Sequence, residues 1–502
     1  MSLINIQDLT FAYDGSYDNI FENVSFQLDT AWKLGFTGRN GRGKTTFLNL
    51  LLGKYEYSGK ISASVDFRYF PHNVADRGVD TISVIEQVCP LYQEWALLRE
   101  LSILGVQESV LNRPFGTLSN GEQTKVLLAA LFLNDNNFLL IDEPTNHLDL
   151  GGREIVSRYL NGKAGFILVS HDRAFLDGCV SHILSINRSN IEVQRGNFSS
   201  WLANKERQDS FELAENEKLK KDIKRLKQAA KQSEAWSNRA EAAKMGKGAA
   251  KLRKRGHEDV DTRAYYGEKS RRMQQRRKNL ERRQQSAIDD KGKLLKNLEH
   301  AAPLKISLLP YHKERYISLS DVSISYGEKP VCEGVSFTLG RGERIALQGK
   351  NGSGKSSILR LICGEGLAFS GKLEVGSGLK ISYVSQDTSS LCGNLTDYAL
   401  HAGIDESLFK AILRKLDFSR VQFEKDMRDF SGGQKKKVLI AKSLCEQAHL
   451  LVWDEPLNFI DVLSRIQIEE LLLEHKPTIL FVEHDSVFVG RVGTGKILLS
   501  HL

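Results

Sequence analysis

Short apolar runs alternate with glycine-rich and acidic punctuation along most of the chain. Strand-like runs at 34–38 and 345–349 each lead into a glycine-rich loop, and helix-like starts follow at 46–52 and 357–362. The runs FLLI at 138–141 and LLVW at 450–453 are apolar enough to be buried parallel strands, and each ends in a carboxylate pair. Similar runs at 165–170 and 478–482 precede a histidine. Strands that end in polar residues place a site at the carboxyl edge of a parallel sheet, so the expected fold class is α/β. Between 203 and 303 the pattern changes. Leu219, Ile223, Leu226 and Ala230 recur at helical spacing, as do Leu280, Ala287, Leu294 and Leu298. Both are a/d-like seams, which predicts two long antiparallel helices packed as a hairpin. No proline interrupts 145–302, and Gly246, Gly248, Gly256 and Gly267 mark a loop between the seams. The first helix is expected over about 205–245, with the hairpin tip near 244–266.

The longest unbroken apolar run, 126–133, has eight residues. A membrane span needs about 20, so none is predicted. The opening MSLINIQDLTF has no basic stretch followed by an apolar core, so no secretory signal is expected. Cys89, Cys179, Cys332, Cys363, Cys392 and Cys445 are scattered without a CxxC pair, which reads as reduced core thiols of a cytoplasmic protein. Charge sharpens the picture further. The net charge is +8, but residues 203–302 hold 28 of the 70 basic and 16 of the 62 acidic residues, a local net of +12. The remainder is net −4. A concentrated basic block predicts a polyanionic partner, and the KLRKR and RRMQQRRK clusters favour nucleic acid.

The chain also repeats itself. GRNGRGKT at 38–45 pairs with GKNGSGKS at 349–356, LSNGEQ at 118–123 with FSGGQ at 430–434, and FLLIDEP at 138–144 with LLVWDEP at 450–456. SHD at 170–172 pairs with EHD at 483–485. The offsets are 311 for Lys44 and Lys355, 312 for Ser119 and Ser431, 312 for Glu143 and Glu455, and 313 for His171 and His484. Four motifs at one near-constant offset predict duplicated domains at 1–202 and 304–502, with the basic linker at 203–303.

GxxxxGK[ST] between strand and helix is a phosphate cradle, because its glycines let backbone N–H groups close around a phosphate at a helix N-terminus. The predicted cradles use Gly38, Asn40, Gly41, Gly43, Lys44, Thr45 and Thr46 in one copy. Gly349, Asn351, Gly352, Gly354, Lys355, Ser356 and Ser357 are their equivalents in the other. The lysines are expected to reach the β- and γ-phosphates of ATP, and Thr45 and Ser356 to ligate Mg²⁺. Asp142 and Asp454 are expected to hold the same ion. Glu143 and Glu455 are placed to orient and deprotonate an attacking water, and His171 and His484 to contact the γ-phosphate. Tyr13 and Tyr326, upstream of the loops, are candidates to stack on adenine.

These residues resemble the ATP-binding cassette superfamily, from which the LSNGEQ and FSGGQ elements exclude other phosphate-loop folds. The resemblance implies two tandem P-loop domains that sandwich two ATPs head to tail. Ser431, Gly432 and Gly433 would face the nucleotide on the first loop, and Ser119 and Gly121 the nucleotide on the second. Both modules lie on one chain, so no stable homodimer is required. Two modules, no membrane span and a charged linker of about 100 residues resemble the ABC-F class of ribosome-associated ATPases. EPTNHLD at 143–149 and SHDRAFL at 170–176 are typical of it. WKLGFTGRNGRGKTT at 32–46 and WDEPLNFIDV at 453–462 resemble its antibiotic-resistance members of the Lsa and Vga group.

That resemblance implies binding to the bacterial ribosome from the exit site, close to large-subunit rRNA and peptidyl-site tRNA, and protection against lincosamides, streptogramin A compounds and pleuromutilins. The tip residues expected to meet RNA are Lys244, Lys247, Lys251, Arg253, Lys254, Arg255, Arg263, Tyr265 and Tyr266. Two departures stand out. The glutamine that approaches Mg²⁺ is present as Gln386, but His72 takes its place in the first module. Asn120 replaces a signature glycine. The intervals from Gly38 to Ser119 (81 residues) and from Gly349 to Ser431 (82 residues) leave no room for an inserted arm. Three other classes compete: a membrane transporter's ATPase subunit, a general translation factor for stalled ribosomes, and a DNA-repair ATPase.

Overall fold

The structure is a computed structural model. It describes residues 2–13, 19–134, 136–146, 148–186, 191–246, 282, 304, 306, 308–327 and 329–499, with side chains left undescribed at 226, 227, 229–246 and 329. The chain divides into two compact units, Met1–Trp201 with Ala301–Leu502, and Leu202–His300.

The first unit holds two copies of one architecture. In the first copy, an antiparallel sheet joins β1 (Leu3–Phe11), β2 (Phe21–Asp29) and β4 (Ser58–Ser62) in the order β2-β1-β4. The main sheet runs β5-β6-β7-β3-β8-β9, with β3 at Lys33–Thr37, β5 at Asp66–Phe70, β6 at Asn137–Asp142, β7 at Phe166–Val169, β8 at His182–Ile186 and β9 at Ile191–Arg195. All its pairings are parallel except β8 with β9. In the second copy, β10 (Arg315–Tyr326), β11 (Lys329–Gly340) and β13 (Phe369–Val375) form the antiparallel sheet. The parallel sheet runs β14-β15-β16-β12-β17, from β12 (Arg344–Gln348), β14 (Ile381–Val384), β15 (Leu450–Asp454), β16 (Ile479–Val482) and β17 (Gly495–Leu498).

The central strands are apolar on both faces because both are covered. β7 and β16 are buried at every position, and β15 is buried from Leu450 through Asp454. Phe36, Phe47, Phe138 and Ile167 pack in the first core, and Leu347, Ile358, Val452 and Leu480 in one second-module core. A further core around Phe409, Leu413, Ile440, Trp453 and Phe481 ties the helices of the second module to its sheet. Each fully buried large side chain of this kind is worth roughly 1.5–3 kcal/mol, so the frame that holds the loops is rigid relative to the loops themselves. Four of the six cysteines are buried, but Cys363 is half-buried and Cys392 exposed, so the expectation of core thiols fails at Cys392. Its place in the turn ahead of the helix Leu395–His401 explains the exposure.

The helix Phe198–Gly246 has 49 residues, starting seven residues ahead of the predicted start. At 1.5 Å per residue it is roughly 74 Å long. Phe198 and Trp201 are buried and pack ring against ring at 5.3 Å, which fixes its first turn. Leu219 and Ile223 of the predicted seam are half-buried. The side chains of Leu226 and Ala230, the whole second seam, and the tip residues Lys247, Lys251, Arg253, Lys254, Arg255, Arg263, Tyr265 and Tyr266 lie outside the described residues. Lys244 falls in the last helical turn with its side chain undescribed.

Candidate functional site: two composite cavities

Each phosphate loop follows the carboxyl end of a central parallel strand, β3 or β12, and ends at a helix N-terminus. The helices are Lys44–Leu51 and Lys355–Ile362. Their N-caps, Gly43 and Gly354, have φ of 93° and 82°. Only glycine adopts that conformation without strain, which is why the pattern demands it there. Lys44 Nζ donates to the carbonyls of Gly38 (2.7 Å) and Arg39 (3.2 Å), and Lys355 Nζ to those of Gly349 (2.9 Å) and Lys350 (2.8 Å). Both lysines thus curl over their own loops and are nearly buried. Burial lowers the affinity of each for its proton, against the pull of nearby carboxylates.

The signature sequences form helix starts. Ser119 and Ser431 cap the helices Asn120–Leu131 and Gly432–Cys445 through capping boxes. The Glu122 side chain accepts from the Ser119 amide at 2.9 Å, and the Gln434 side chain from the Ser431 amide at 2.9 Å. A capped helix start leaves backbone N–H groups aimed outward, the arrangement that binds an anion.

Loop and signature meet across the modules. A cavity of about 430 Å³ is lined by Tyr13, Asn40, Gly41, Gly43, Lys44, Thr45, Thr46, Asp142, Glu143 and His171 from the first module and by Ser431, Gly432, Gly433 and Phe459 from the second. A second, of about 710 Å³, is lined by Asn351, Gly352, Gly354, Lys355, Ser356, Ser357, Gln386, Glu455 and His484 and by Ser119, Asn120, Gly121 and Glu122. Gly38, Gly349, Tyr326 and Asp454 are not among these linings. Tyr13 and Tyr326 are exposed beside the loops, and their hydroxyls bond Thr46 Oγ1 at 2.8 Å and Ser357 Oγ at 3.2 Å.

The acidic groups converge in both copies. Glu143 and Glu455 have φ of 52° and 47°, a left-handed conformation that is uncommon outside glycine and is often held at functional sites. It follows the last strand residue directly and turns each carboxylate towards a histidine. Glu143 Oε1 lies 3.3 Å from His171 Nε2, and Glu455 Oε1 lies 3.3 Å from His484 Nε2. Beyond that the copies diverge. Glu455 also accepts from Gln386 Nε2 at 2.9 Å and from the Asn458 amide. Burial would raise its pKa, but the His484 bond and charge, the Lys436 charge and the Gln386 bond hold it below the usual carboxylate range. His72 does not line the first cavity. Burial and the neighbouring Asp142 push Glu143 up to about 8. Burial and the Lys44 charge push His171 well below its ordinary value, so Glu143 faces a neutral imidazole.

The donor sets fit a hard divalent cation. Thr45 Oγ1 lies 3.3 Å from Asp142 Oδ2. Asp454 is fully buried, and beyond the neighbouring Ser356 hydroxyl nothing satisfies its two carboxylate oxygens, an arrangement that calls for a cation. Burial pushes both aspartates up. Among the described residues no three His, Cys, Asp or Glu side chains cluster as a metal site. One carboxylate and one hydroxyl, completed by phosphate oxygens, suit Mg²⁺ better than an all-protein cage would.

Several contributors escape sequence reasoning. Tyr69 Oη donates to Asp142 Oδ2 at 3.0 Å, because β5 and β6 pair in register beside it. Phe459 carries the carbonyl that accepts from Asn40 Nδ2 at 2.8 Å across the modules. Lys437 and Asp461 form a buried ion pair at 2.7 Å. Phe459 differs from its positional counterpart His147, and that break in the repeat was the available signal.

A family model described as ABC transporter matches residues 21–146 and 332–458, half of the chain. The chain belongs to this family, and within it to the ABC-F class. It is an ATPase with two ATP-binding modules. Among similar proteins, the ribosome protection protein VmlR of Bacillus subtilis is 27% identical over 98% of this chain and 86% of its own length. The energy-dependent translational throttle protein EttA of Escherichia coli is 26% identical over 95% and 88%. A solved structure of the complex of archaeal ribosomal stalk protein aP1 and archaeal ribosome recycling factor aABCE1 has the same fold. It gives a TM-score of 0.62 at 19% identity over 98% of this chain and 87% of that one. Among the described residues no helix is long and apolar enough to cross a membrane.

Proposed function

We propose that this chain is a cytoplasmic, ATP-driven ribosome-binding protein that protects the large subunit from lincosamides, streptogramin A compounds and pleuromutilins. The observation that carries the reading is that one polypeptide supplies both halves of two nucleotide cavities while its net positive charge is confined to the segment between the modules. The likeness to VmlR supports the protective role, and no stable homodimer is needed. The functional division is 1–202, 203–303 and 304–502.

In this reading ATP occupies both cavities. Lys44 and Lys355 leave their own loop carbonyls for the phosphates, and Ser119, Gly121, Ser431, Gly432 and Gly433 cover the γ-phosphates from the opposite module. Tyr13 and Tyr326 stack on adenine. Thr45 with Asp142, and Ser356 with Asp454 and Gln386, hold Mg²⁺, which screens the phosphate charge when bound. Glu143 and Glu455 accept the proton of the attacking water, with His171 and His484 orienting them. ATP binding favours module closure and ribosome engagement at the exit site. The linker tip, with Lys244 through Tyr266, then meets rRNA near the peptidyl-site tRNA, and hydrolysis releases the protein.

The test is co-sedimentation. Glu143→Gln with Glu455→Gln is expected to bind ATP, fail to hydrolyse it and pellet with bacterial ribosomes. A variant that binds ATP yet stays in the supernatant refutes the scheme. A second reading, a general translation factor, is favoured by the likeness to EttA over nearly the whole chain. Drug susceptibility of a sensitive host with and without the gene separates the two.

A further inference from the structure

The modules repeat at an offset of 311–313, so each cross-module contact beside one cavity has a positional counterpart beside the other. These contacts are not equivalent. At the first cavity, Arg39 Nη1 and Arg42 Nη2 of the phosphate loop lie 3.4 Å and 3.8 Å from Asp417 Oδ1, just beyond the helix Glu406–Lys415 of the other module. Deeper in the interface, the buried Arg173 Nη2 donates to Glu469 Oε2 at 2.6 Å, and on the outer side the exposed Arg491, of the same module as Glu469, holds Nη1 2.6 Å from Glu469 Oε1. Arg173 is two residues past His171, and its Nη2 also lies 3.8 Å from Asp485 Oδ2, next to His484 of the second cavity. The helix that carries Glu469, Val462–His475, begins three residues after Phe459, which lines the first cavity.

The counterparts of Arg39, Arg42 and Asp417 are Lys350, Ser353 and Gly105. Those of Arg173, Glu469 and Arg491 are Ser486, Ser157 and Gly178. No ion pair can form in either set. Where that triad would sit there is instead a cavity of about 390 Å³, lined by Ser157, Gly178 and Ser486 together with Arg153, Asp172 and His484. At the first cavity a Cβ on Gly433 would come within 2.8 Å of Asn40 Nδ2 of the opposite module, so the modules approach closely there.

We propose that Arg173–Glu469–Arg491 and Arg39/Arg42–Asp417 are two charge latches that position the first site and keep it engaged, so that the second site is the one that opens between turnovers. This rests on the reading that both cavities bind ATP.

Release of a methylanthraniloyl-labelled ATP from the full chain carrying Glu143→Gln and Glu455→Gln tests it. Two phases separated by about tenfold or more are expected, the slow one lost in Lys44→Ala and the fast one in Lys355→Ala. Arg173→Ser, which leaves Glu469 paired with Arg491, accelerates the slow phase about tenfold, and the solvent-facing Asp417→Asn about threefold. Building the missing pair with Ser157→Glu and Ser486→Arg slows the fast phase. Equal phases, a slow phase that vanishes with Lys355→Ala, or a slow phase unmoved by Asp417→Asn in a folded protein overturns the latch while leaving ATP binding intact. Absence of any bound label overturns the nucleotide reading itself.

Discussion

The two nucleotide cavities share their loops, strands, helix caps and Asp–Glu–His groups, yet they differ in the groups that surround each glutamate. Glu455 is held below the usual carboxylate range by His484, Lys436 and Gln386, and the Asn458 side-chain amide also bonds it. Glu143 meets a neutral His171 and sits beside Asp142, and its carboxyl is pushed up to about 8. Ion pairs across the modules lie beside the first cavity, whereas among the described residues the positional counterparts of those pairs beside the larger second cavity carry no opposite charges, and Arg153 Nη1 crosses there to the His484 carbonyl at 3.3 Å. Duplication therefore preserves the backbone machinery that cradles phosphate, while the side chains around it have diverged. The lesson is that a repeated motif predicts a repeated site but not a repeated reactivity.

The largest separation of the two halves is expected at the aspartates that cap the helices after each Asp–Glu pair. Asp461 is fully buried, accepts from the Ser464 amide at 2.9 Å and pairs with the buried Lys437. Burial alone would raise its pKa, but Lys437 holds the carboxyl far below the usual range. Its counterpart Asp149 caps through the Gly152 amide at 2.8 Å, and no ion pair joins it to Lys125. Asp461→Ala strands a buried ammonium and should cost about 3–5 kcal/mol. Asp149→Ala should cost about 1 kcal/mol. Urea unfolding midpoints of the two variants check this, and equal losses would show that the buried pair contributes nothing beyond a cap.

A smaller effect separates the glutamates by pH. The folded-state pKa of Glu143 is raised above its unfolded value of 4.5, so the folded chain binds more protons than the unfolded chain between pH 4.5 and about 8. Stability from this group is present below 4.5 and is lost as pH rises through that window, by up to about 1.4 kcal/mol per pH unit. Glu143→Gln removes the loss, so its advantage over wild type in a chelator-containing buffer should grow from pH 5 to pH 8. Glu455, whose pKa is lowered, has the opposite sign, and Glu455→Gln should show no such growing advantage.

Most of the frame was legible because its signals are local. A glycine with positive φ ahead of Lys44, an apolar strand ending at Asp142, and a serine followed three residues later by Glu122 or Gln434 each specify their own backbone. The 311–313 offset then duplicates the result. What stayed hidden depends on the meeting of distant segments. Arg39 with Asp417, Arg173 with Glu469 and Asn40 with the Phe459 carbonyl each join residues hundreds of positions apart, and no spacing rule links them. Tyr69 reaches Asp142 only through the β5–β6 register. The length of the first linker helix was nearly legible. Its start moved to Phe198 because Phe198 and Trp201 bury an aromatic first turn that a charge-based boundary overlooks.

The smallest expected effect isolates one hydrogen bond. Gln386 Nε2 donates to Glu455 Oε2 at 2.9 Å, and the first module offers His72 in that position, outside its cavity lining. A hydrogen bond to an ionised carboxylate contributes roughly 1.5–3 kcal/mol. Loss of that donor should raise the Glu455 pKa and loosen the aim of the carboxylate at the attacking water, although Asn458 and His484 still hold it. In a Glu143→Gln background, where only the second site turns over, Gln386→Ala should therefore lower kcat about tenfold and leave KM for ATP little changed. In a Glu455→Gln background, His72→Ala should change the first site's kcat less than twofold, since His72 holds no part of that cavity. A larger loss from His72 than from Gln386 would mean that the first site reorganises around ATP and recruits His72. The two halves would then be more alike in the working state than their resting side chains are.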